Sequence, residues 1–366
     1  MELVDSSSAR VPGGRTGHGP VRWPCRPHPP DTAGRPRPAK PTRSHRANTH
    51  RPAVRPPGPA HLRWRQPMKL LTFKTRGADQ ARLGGVLPGQ EVLDLTGASA
   101  GDPQFESMLS LIEAGPDGLS RAADLIHGGA RAHAYPIAEV DMLAPIPRPR
   151  KNVYCVGLNF RSHVEQNAAA LGQPVEIPDV PLFFSKPVTA VIGTGEAIRL
   201  DERLTTQLDY EVELAIVIGR RGIGIDPGQA SDYIFGYTIA NDVSARDLQW
   251  RTSQFLYGKG LDTYCPLGPV VLTADQVPSL DDLTLELLVN NEIRQSESAG
   301  HMLFSPAEVI GWLSSGITLE PGDIITLGTP GGCGYQTTPT RFLGPGDIVE
   351  CRVDAIGSLI NPVQSV

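Results

Sequence analysis

Two acidic residues, Glu211 and Glu213, stand two positions apart in one apolar stretch, YEVELAIVIG. Alternate residues of a β-strand face the same side, so this spacing predicts that both carboxylates project together. Val212 and Leu214 then face the opposite side, into a core. Two like charges at this distance need a shared cation or a strongly shifted pKa. The alternative is an exposed edge strand with a solvated acidic face, but apolar residues continue on both sides of the pair.

A third carboxylate, Asp242, follows about thirty residues later, directly after the apolar run YIFGYTIAN. Three carboxylates with no neighbouring His or Cys are typical of a site for a hard divalent ion. The pattern therefore indicates Mg²⁺ or Mn²⁺, with Ca²⁺ as a further option. The residues alone leave open whether the acidic groups bind a metal or are simply solvated.

Basic and amide side chains follow the third carboxylate. Arg246 and Gln249 lie four and seven positions after Asp242, so the three would share one face if this segment were helical. Lys259 stands among glycines in YGKGLDTYCPLGP. Cations next to a metal can hold a carboxylate or an enolate. For each residue the alternative is an ordinary solvated surface group.

Two further segments carry candidate chemistry. Thr329 lies in the glycine-rich stretch LGTPGGCGYQ, which lacks the lysine of a P-loop. That stretch either presents backbone N–H groups to an oxyanion or is a plain tight turn. His163 lies in GLNFRSHVEQN, expected at the end of a strand, with Glu165 and Gln166 beside it. A His with a nearby carboxylate can serve as a general base, although a lone His is more often structural.

The elements that must position these residues are mostly strands. Short β-type runs are separated by Gly and Pro, and no βαβ alternation is present, so an α+β, β-rich fold is predicted. Residues 103–127 have apolar residues at helical spacing. FSPAEVIGWLSSG predicts a short helix with Ser305 as N-cap and Pro306 at its first position. LTLELLVNNEIRQ predicts a hairpin that turns at Asn290 and Asn291.

Composition limits the class of protein. Of the 366 residues, 40% are hydrophobic and 20% charged, which is typical of a globular protein. No apolar run approaches the ~20 residues of a membrane helix. The first residues lack the apolar stretch of a secretory signal. The five cysteines are scattered without a CxxC pair, which favours a reducing cytoplasm over a disulfide framework.

Charge and proline divide the chain. Residues 1–67 carry 12 Arg, one Lys and three acidic residues, a net +10, together with 14 of the 35 prolines. The remainder carries −15, which argues against a body that binds nucleic acid. The first segment is predicted to be a disordered basic extension. We weigh a phosphate-binding arm and a transit peptide against a non-native extension before Met68, and favour the last. A small N-terminal domain is predicted at 68–147 and a catalytic domain at 148–366.

Seven motifs, in order, resemble the fumarylacetoacetate hydrolase family over about residues 150–363. The resemblance implies the family's mixed β-roll or barrel, preceded by a small N-terminal α+β domain. It also implies a homodimer that binds Mg²⁺, Mn²⁺ or Ca²⁺ and acts on a 1,3-dicarbonyl or 2-oxo acid. The motifs are GLNFRSHVEQN, FFSKP, the E-x-E of LDYEVELAIVIG, ANDVSARDLQ, GKGLDTYCPLGP, LGTPGGCG and GDIVECRVDAIGSLINP.

The resemblance also implies roles for the candidate residues. It makes His163 the group that activates water, with Glu165 and Lys259 as further catalytic residues. The implied metal ligands are Glu211, Glu213 and Asp242, and the implied substrate contacts are Arg246, Gln249, Lys259 and Thr329. The activity implied is hydrolysis of a C–C bond in an acylpyruvate-like substrate. The alternative is decarboxylation or isomerisation of a 2-oxo-ene-dioate, with specificity set by a lid near residues 164–180.

The sequence departs from the family pattern at three positions. The Glu expected three residues after His163 is Gln166, whereas Glu165 lies only two residues after it. On a regular helix Glu165 would point away, so it is expected to assist His163 only through an irregular backbone. Gly260 replaces a Ser beside Lys259. Val156 stands where some members have a fourth acidic ligand, which predicts three protein ligands and open metal positions.

Overall fold

A computed structural model describes residues 68–128, 131–277 and 279–366. The predicted basic extension, residues 1–67, lies outside the described residues. The chain from Met68 to Met142 forms five strands, which confirms the strand predictions for KLLTFKT, RLGGVL and EVLDL. They are β1 (Lys69–Thr75), β2 (Arg82–Leu87), β3 (Glu91–Asp94), β4 (Ala134–Pro136) and β5 (Val140–Met142).

Fourteen further strands are described in the rest of the chain. They are β6 (Val153–Gly157), β7 (Leu182–Lys186), β8 (Val191–Ile192), β9 (Ile198–Leu200), β10 (Leu208–Asp209), β11 (Val212–Ile218), β12 (Ile234–Asn241), β13 (Ser244–Ala245), β14 (Cys265–Thr273), β15 (Thr284–Val289), β16 (Glu292–Ser298), β17 (Ile324–Thr326), β18 (Ile348–Val353) and β19 (Gly357–Ser365).

The helices described are few and mostly short, which together with the strands confirms the α+β, β-rich class. The helix predicted at 103–127 becomes a 3₁₀ turn at Pro103–Phe105 and a longer helix that is interrupted where Gly115 has φ +63°. The α-helices of the described residues are α1 (Leu95–Ala98), α2 (Met108–His127), α3 (Arg161–Leu171), α4 (Arg246–Gln249), α5 (Leu256–Lys259) and α6 (Pro306–Ser314).

Two local predictions are confirmed in detail. Ser305 caps α6 through a hydrogen bond from the Glu308 N–H, and the Glu308 carboxylate returns to the Ser305 backbone, which forms a capping box. The β15–β16 hairpin turns at Asn290 and Asn291, both with positive φ (52° and 66°). Such a two-residue turn has the backbone twist that adjacent antiparallel strands require.

One large sheet carries the candidate site. Its strands run in the order β4-β3-β2-β1-β14-β12-β11-β17-β6-β7, with β5 on β1 and β8 on β14. A second sheet has the order β16-β15-β18-β19-β9, and β10 pairs with β13. In each sheet the first and last strands do not pair with each other, so no sheet among the described residues closes into a barrel. Strands from residues 68–142 share the large sheet with later strands, and the domain boundary at 147 stays a prediction.

Strand β11 lies at the centre of the large sheet and is buried on both faces. Leu214 and Ile216 pack into one hydrophobic cluster, together with residues of the second sheet. Ala215 and Val217 pack into another, with the residues of β1 to β3 and α2. The alternation predicted for this segment is therefore confirmed, and Glu213 shares the face of Ala215 and Val217.

Candidate active site

Three carboxylates converge where β11 begins and β12 ends. The antiparallel register pairs Glu213 with Ala240, and the Asp242 backbone N–H donates to the Glu211 carbonyl at 2.9 Å. Each of the three acidic residues is at most 4% exposed. One carboxylate oxygen from each of Glu211, Glu213 and Asp242 lies within 4.8 Å of the others. The structure thus brings together all three predicted metal ligands.

Two cations, Lys259 and Arg246, pair with carboxylates of the site and share Glu211. Lys259 Nζ lies 2.9 Å from Glu211 Oε2 and 2.5 Å from Asp242 Oδ2. Arg246 Nη2 lies 2.7 Å from Glu211 Oε1, and its Nε donates to Asp209 Oδ2 at 2.9 Å. Burial alone would lower the pKa of Lys259, but Asp242 and Glu211 raise it above its usual value. Lys259 and Arg246 are therefore both charged at neutral pH.

A third cation, Lys186, is fully buried behind Asp242. Its Nζ lies 2.6 Å from Asp242 Oδ1 and donates to the carbonyls of Val243, Lys259 and Tyr264. Its hydrogen-bonding capacity is thus used within the protein. Lys186 pairs with Asp242 and fixes the segment that carries Lys259.

The buried charged residues of the site include more carboxylates than cations. Within the described residues it holds four buried carboxylates and three buried cations, so full ionisation leaves a net charge of −1. Glu213 is the carboxylate with no ion pair in this set, and its Oε2 accepts a hydrogen bond from the Gly328 N–H at 2.8 Å. The members are Asp209, Glu211, Glu213, Asp242, Lys186, Arg246 and Lys259.

The pKa values of Glu211 and Glu213 are shifted in opposite directions. Burial raises the pKa of Glu213, and the neighbouring charges of Asp242 and Glu211 raise it further, to about 8. Burial would also raise the pKa of Glu211, but Lys259 and Arg246 hold it well below its usual value. A buried, oxygen-only donor set with one uncompensated carboxylate fits a hard divalent cation, which Glu211, Glu213 and Asp242 would hold.

His163 lies in the first turn of α3 rather than at the end of a strand, and it is buried. Its Nδ1 lies 3.1 Å from Gln336 Nε2 and 3.7 Å from Cys333 Sγ. Burial lowers the pKa of His163 to about 4, although Glu211 acts in the opposite direction. His163 is therefore uncharged at neutral pH. An uncharged imidazole can act either as a general base or as a hydrogen-bond donor.

The two residues that follow His163 on α3 are placed differently from the prediction. The helix is continuous to Leu171, so the irregular backbone that was expected to bring Glu165 to His163 is not formed. The Glu165 side chain is exposed to solvent, and its Oε1 lies 3.9 Å from Arg161 Nη1. Gln166 Oε1 accepts a hydrogen bond from the Gly332 N–H at 2.7 Å. Gln166 thus holds the glycine-rich turn, and the structure does not bring Glu165 into the site.

The predicted substrate contacts lie around the cluster. Gln249 Oε1 accepts from Arg246 Nη1 at 3.0 Å, and Thr329 Oγ1 accepts from Gln295 Nε2 at 2.9 Å. Asp242, Arg246 and Gln249 would share one face only if the whole segment were helical, and α4 spans only Arg246–Gln249. The end of β12 and the short β13 bring Asp242 near Arg246 instead. The roles of Gln249 and Thr329 toward a substrate stay predictions.

Sequence reasoning missed several residues that build the site. Asp209 binds Arg246 and accepts the backbone N–H groups of Gly334 and Tyr335 at 2.8 and 3.2 Å. Its signal was available, because the period-two alternation of Glu211 and Glu213 extends back to it. Gln295 and Gln336 reach the site from distant segments and have no comparable sequence pattern.

No helix among the described residues has the length and apolarity needed to cross a membrane. Residues 152–364 match the family profile described as fumarylacetoacetate (FAA) hydrolase C-terminal. The oxaloacetate tautomerase YisK of Bacillus subtilis (strain 168) is 40% identical over 291 residues, which are 77% of this chain and 95% of that protein. The mitochondrial oxaloacetate tautomerase Fahd2a of Rattus norvegicus is 37% identical over 301 residues, 81% of this chain and 91% of that protein.

Solved structures have the same fold. A fumarylacetoacetate hydrolase from Exiguobacterium antarcticum superposes with a TM-score of 0.69 at 36% identity, covering 82% of this chain and 100% of its own. A 2-hydroxyhepta-2,4-diene-1,7-dioate isomerase from Mycobacterium marinum gives 0.61 at 30%, covering 81% and 98%. A maleylpyruvate hydrolase from Sphingobium sp. SYK-6 gives 0.65 at 28%, covering 82% and 100%.

Proposed function

The chain belongs to the fumarylacetoacetate hydrolase family, and we propose that it interconverts the keto and enol forms of a small 2-oxo dicarboxylic acid with the help of a divalent cation. Oxaloacetate is the first substrate to test, because two relatives of 37–40% identity are oxaloacetate tautomerases. The observation that carries the proposal is the buried cluster of three carboxylates beside Lys259 and Arg246.

The reaction requires stabilisation of an enolate. The C3–H bond breaks as its proton passes to a solvent water, its electron pair forms the C2–C3 double bond, the carbonyl π pair moves onto the C2 oxygen, and that oxygen then takes a proton from solvent. Mg²⁺ or Mn²⁺ held by Glu211, Glu213 and Asp242 would polarise the 2-oxo group. Lys259, which is protonated and buried beside these carboxylates, adds a fixed positive charge near the developing oxyanion.

The arrangement around His163 favours this reaction over hydrolysis of a C–C bond. Hydrolysis needs a base that removes a proton from water, and a carboxylate that orients the imidazole strengthens such a base. Glu165 faces solvent and the +3 residue is the neutral Gln166, so neither supplies that carboxylate. The hydrolysis of an acylpyruvate therefore becomes the second candidate, with decarboxylation of the 2-oxo diacid as a third.

A product panel separates the three reactions. The full-length protein, with Mg²⁺ or Mn²⁺, is given freshly dissolved enol oxaloacetate, and the decay of the enol absorbance is followed. We expect decay faster than in buffer with no change in mass, and no acceleration by the Glu213→Gln variant at low metal. Pyruvate with CO₂ would indicate decarboxylation instead. Unaccelerated decay, together with pyruvate and a carboxylate released from an acylpyruvate, would contradict the proposal and establish hydrolysis.

A further inference from the structure

The glycine-rich turn fixes the orientation of one amide side chain beside His163. Gln336 Oε1 accepts hydrogen bonds from the backbone N–H groups of Gly332 and Cys333, at 3.0 and 3.1 Å. Backbone N–H groups can only donate, so the oxygen of this amide must face them. The amide nitrogen, Nε2, is thereby directed at His163 Nδ1, 3.1 Å away.

Both side chains that approach His163 Nδ1 offer hydrogens to it. Gln336 Nε2 is a donor only. Cys333 Sγ lies 3.7 Å from Nδ1, and burial raises the pKa of the Cys333 thiol well above its usual value. The thiol is therefore protonated and can donate to Nδ1.

The two hydrogens of Gln336 Nε2 face three acceptor positions, which are His163 Nδ1 and the Tyr335 hydroxyl at 3.1 Å and the His163 carbonyl at 3.2 Å. A hydrogen on Nδ1 would meet this donor-only nitrogen at hydrogen-bond distance, whereas a lone pair on Nδ1 accepts from it, so the geometry favours the lone pair on Nδ1. With the lone pair on Nδ1, the ring proton resides on Nε2. Nε2 forms no hydrogen bond with the described part of the chain, so it is the ring nitrogen that can reach a ligand.

We propose that Gln336 is a positioning residue that holds His163 as the Nε2–H tautomer, so that His163 donates a hydrogen bond to the enolate oxygen instead of activating water. This inference rests on the proposed keto–enol function of the same site. It replaces the general-base role that the resemblance implies for His163. A neutral imidazole that donates a hydrogen bond can stabilise an oxyanion without a change in its own protonation.

The same geometry predicts how the choice of tautomer can be reversed. In a Gln336→Glu variant, one carboxylate oxygen still accepts the Gly332 and Cys333 N–H groups, so the turn is kept. The other oxygen faces His163 Nδ1 and can only accept. The ring proton should therefore move to Nδ1, which leaves the Nε2 lone pair free to take a proton from water.

The test measures the tautomer directly. Protein labelled with ¹⁵N in its nine histidines is examined by NMR, because protonated and unprotonated ring nitrogens have well-separated shifts and different couplings to the ring hydrogens. The spectrum of His163→Asn identifies the signal. We expect Nε2–H in the wild type, Nδ1–H in Gln336→Glu, and a mixture in Gln336→Met. Gln364→Glu, which adds the same charge at an exposed residue of β19, should leave the wild-type pattern.

Kinetics on the same variants supply the second measurement. Gln336→Glu should lower kcat for the keto–enol reaction on the order of 10²-fold, as for loss of one oxyanion donor, with a smaller change in KM. It should also gain acylpyruvate hydrolysis. An Nδ1–H signal in the wild type, or an unchanged signal in Gln336→Glu, would overturn the inference. If the tautomers are as expected but the wild type does not accelerate the keto–enol reaction, the proposed function fails and the role of Gln336 in setting the tautomer stands.

Discussion

Replacing Glu213 by Gln should make the metal-free protein more stable at neutral and alkaline pH. Glu213 is buried without an ion pair in the described residues, and its pKa is raised from 4.5 to about 8. A carboxyl group with a raised folded-state pKa contributes stability below its unfolded pKa, and this stability is lost as the pH rises through the folded pKa. The amide of the Glu213→Gln variant does not ionise in this range, and its oxygen can still accept the Gly328 N–H.

The size of the effect follows from the shift. Each pKa unit corresponds to about 1.4 kcal/mol, so the full loss in free energy of unfolding is roughly 5 kcal/mol, and it is complete only above pH 8. At pH 7 the folded protein still holds the proton while the unfolded chain has released it, and the loss is roughly 3 kcal/mol. The Glu213→Gln variant escapes this loss, so its advantage should grow from pH 5 to pH 8 and then level off.

Thermal unfolding in EDTA between pH 5 and 9 measures this advantage, and several degrees in Tm are expected at pH 7. Saturating Mg²⁺ should reverse the order, because a ligand that binds only the folded state stabilises the variant that holds it more tightly. Glu139→Gln, which removes a charge from an exposed position, serves as the control and should show neither effect. If metal-free Glu213→Gln unfolds at a lower temperature than wild type at pH 8, Glu213 is not an uncompensated buried charge.

Three further outcomes are expected. Mg²⁺ binding at pH 7 should release close to one proton, from Glu213, and the number of protons released should fall as the pH passes 8. Calorimetry in buffers of different ionisation enthalpy counts these protons, and a proton release that does not change with pH would contradict the assignment. Gln166→Ala should lower kcat more than Glu165→Gln, because only Gln166 holds the glycine-rich turn; steady-state kinetics with equal damage from both would refute this. Arg246→Met should lower the free energy of unfolding by about 3–5 kcal/mol, because it leaves Asp209 buried without its cation, and urea denaturation measures that loss.

Local signals account for what could be predicted of the fold. The capping residues of α6 and the Asn290–Asn291 turn depend on neighbours within a few positions, so the sequence specified them in detail. The two-residue spacing predicted that the carboxylates of Glu211 and Glu213 lie together, and they do, although Glu211 precedes β11. The same spacing extends back to Asp209, which lies in β10.

The parts of the site that escaped prediction depend on contacts between distant segments. Asp242 and Arg246 are both brought to Glu211 by the register of β11 with β12 and the turn that follows, and not by a shared helix. Gln336 lies 173 residues after His163 and reaches it only because the glycine-rich turn packs beneath α3. No spacing rule in one sequence encodes such a meeting. The side of α3 that Glu165 occupies was predictable only once the helix was known to be regular.

The pairing of β1 with β14 constrains how this protein can be shortened. Lys69 and Leu70 pair with Leu272 and Val271 in the large sheet, and all nine residues of β14 are buried. A chain cut back to 148–366 would therefore expose an apolar strand edge, with unpaired backbone groups over part of its length. Such edges recruit strands from other molecules. Removing the first sheet strands should thus yield an aggregating product even if every residue of the candidate active site is retained.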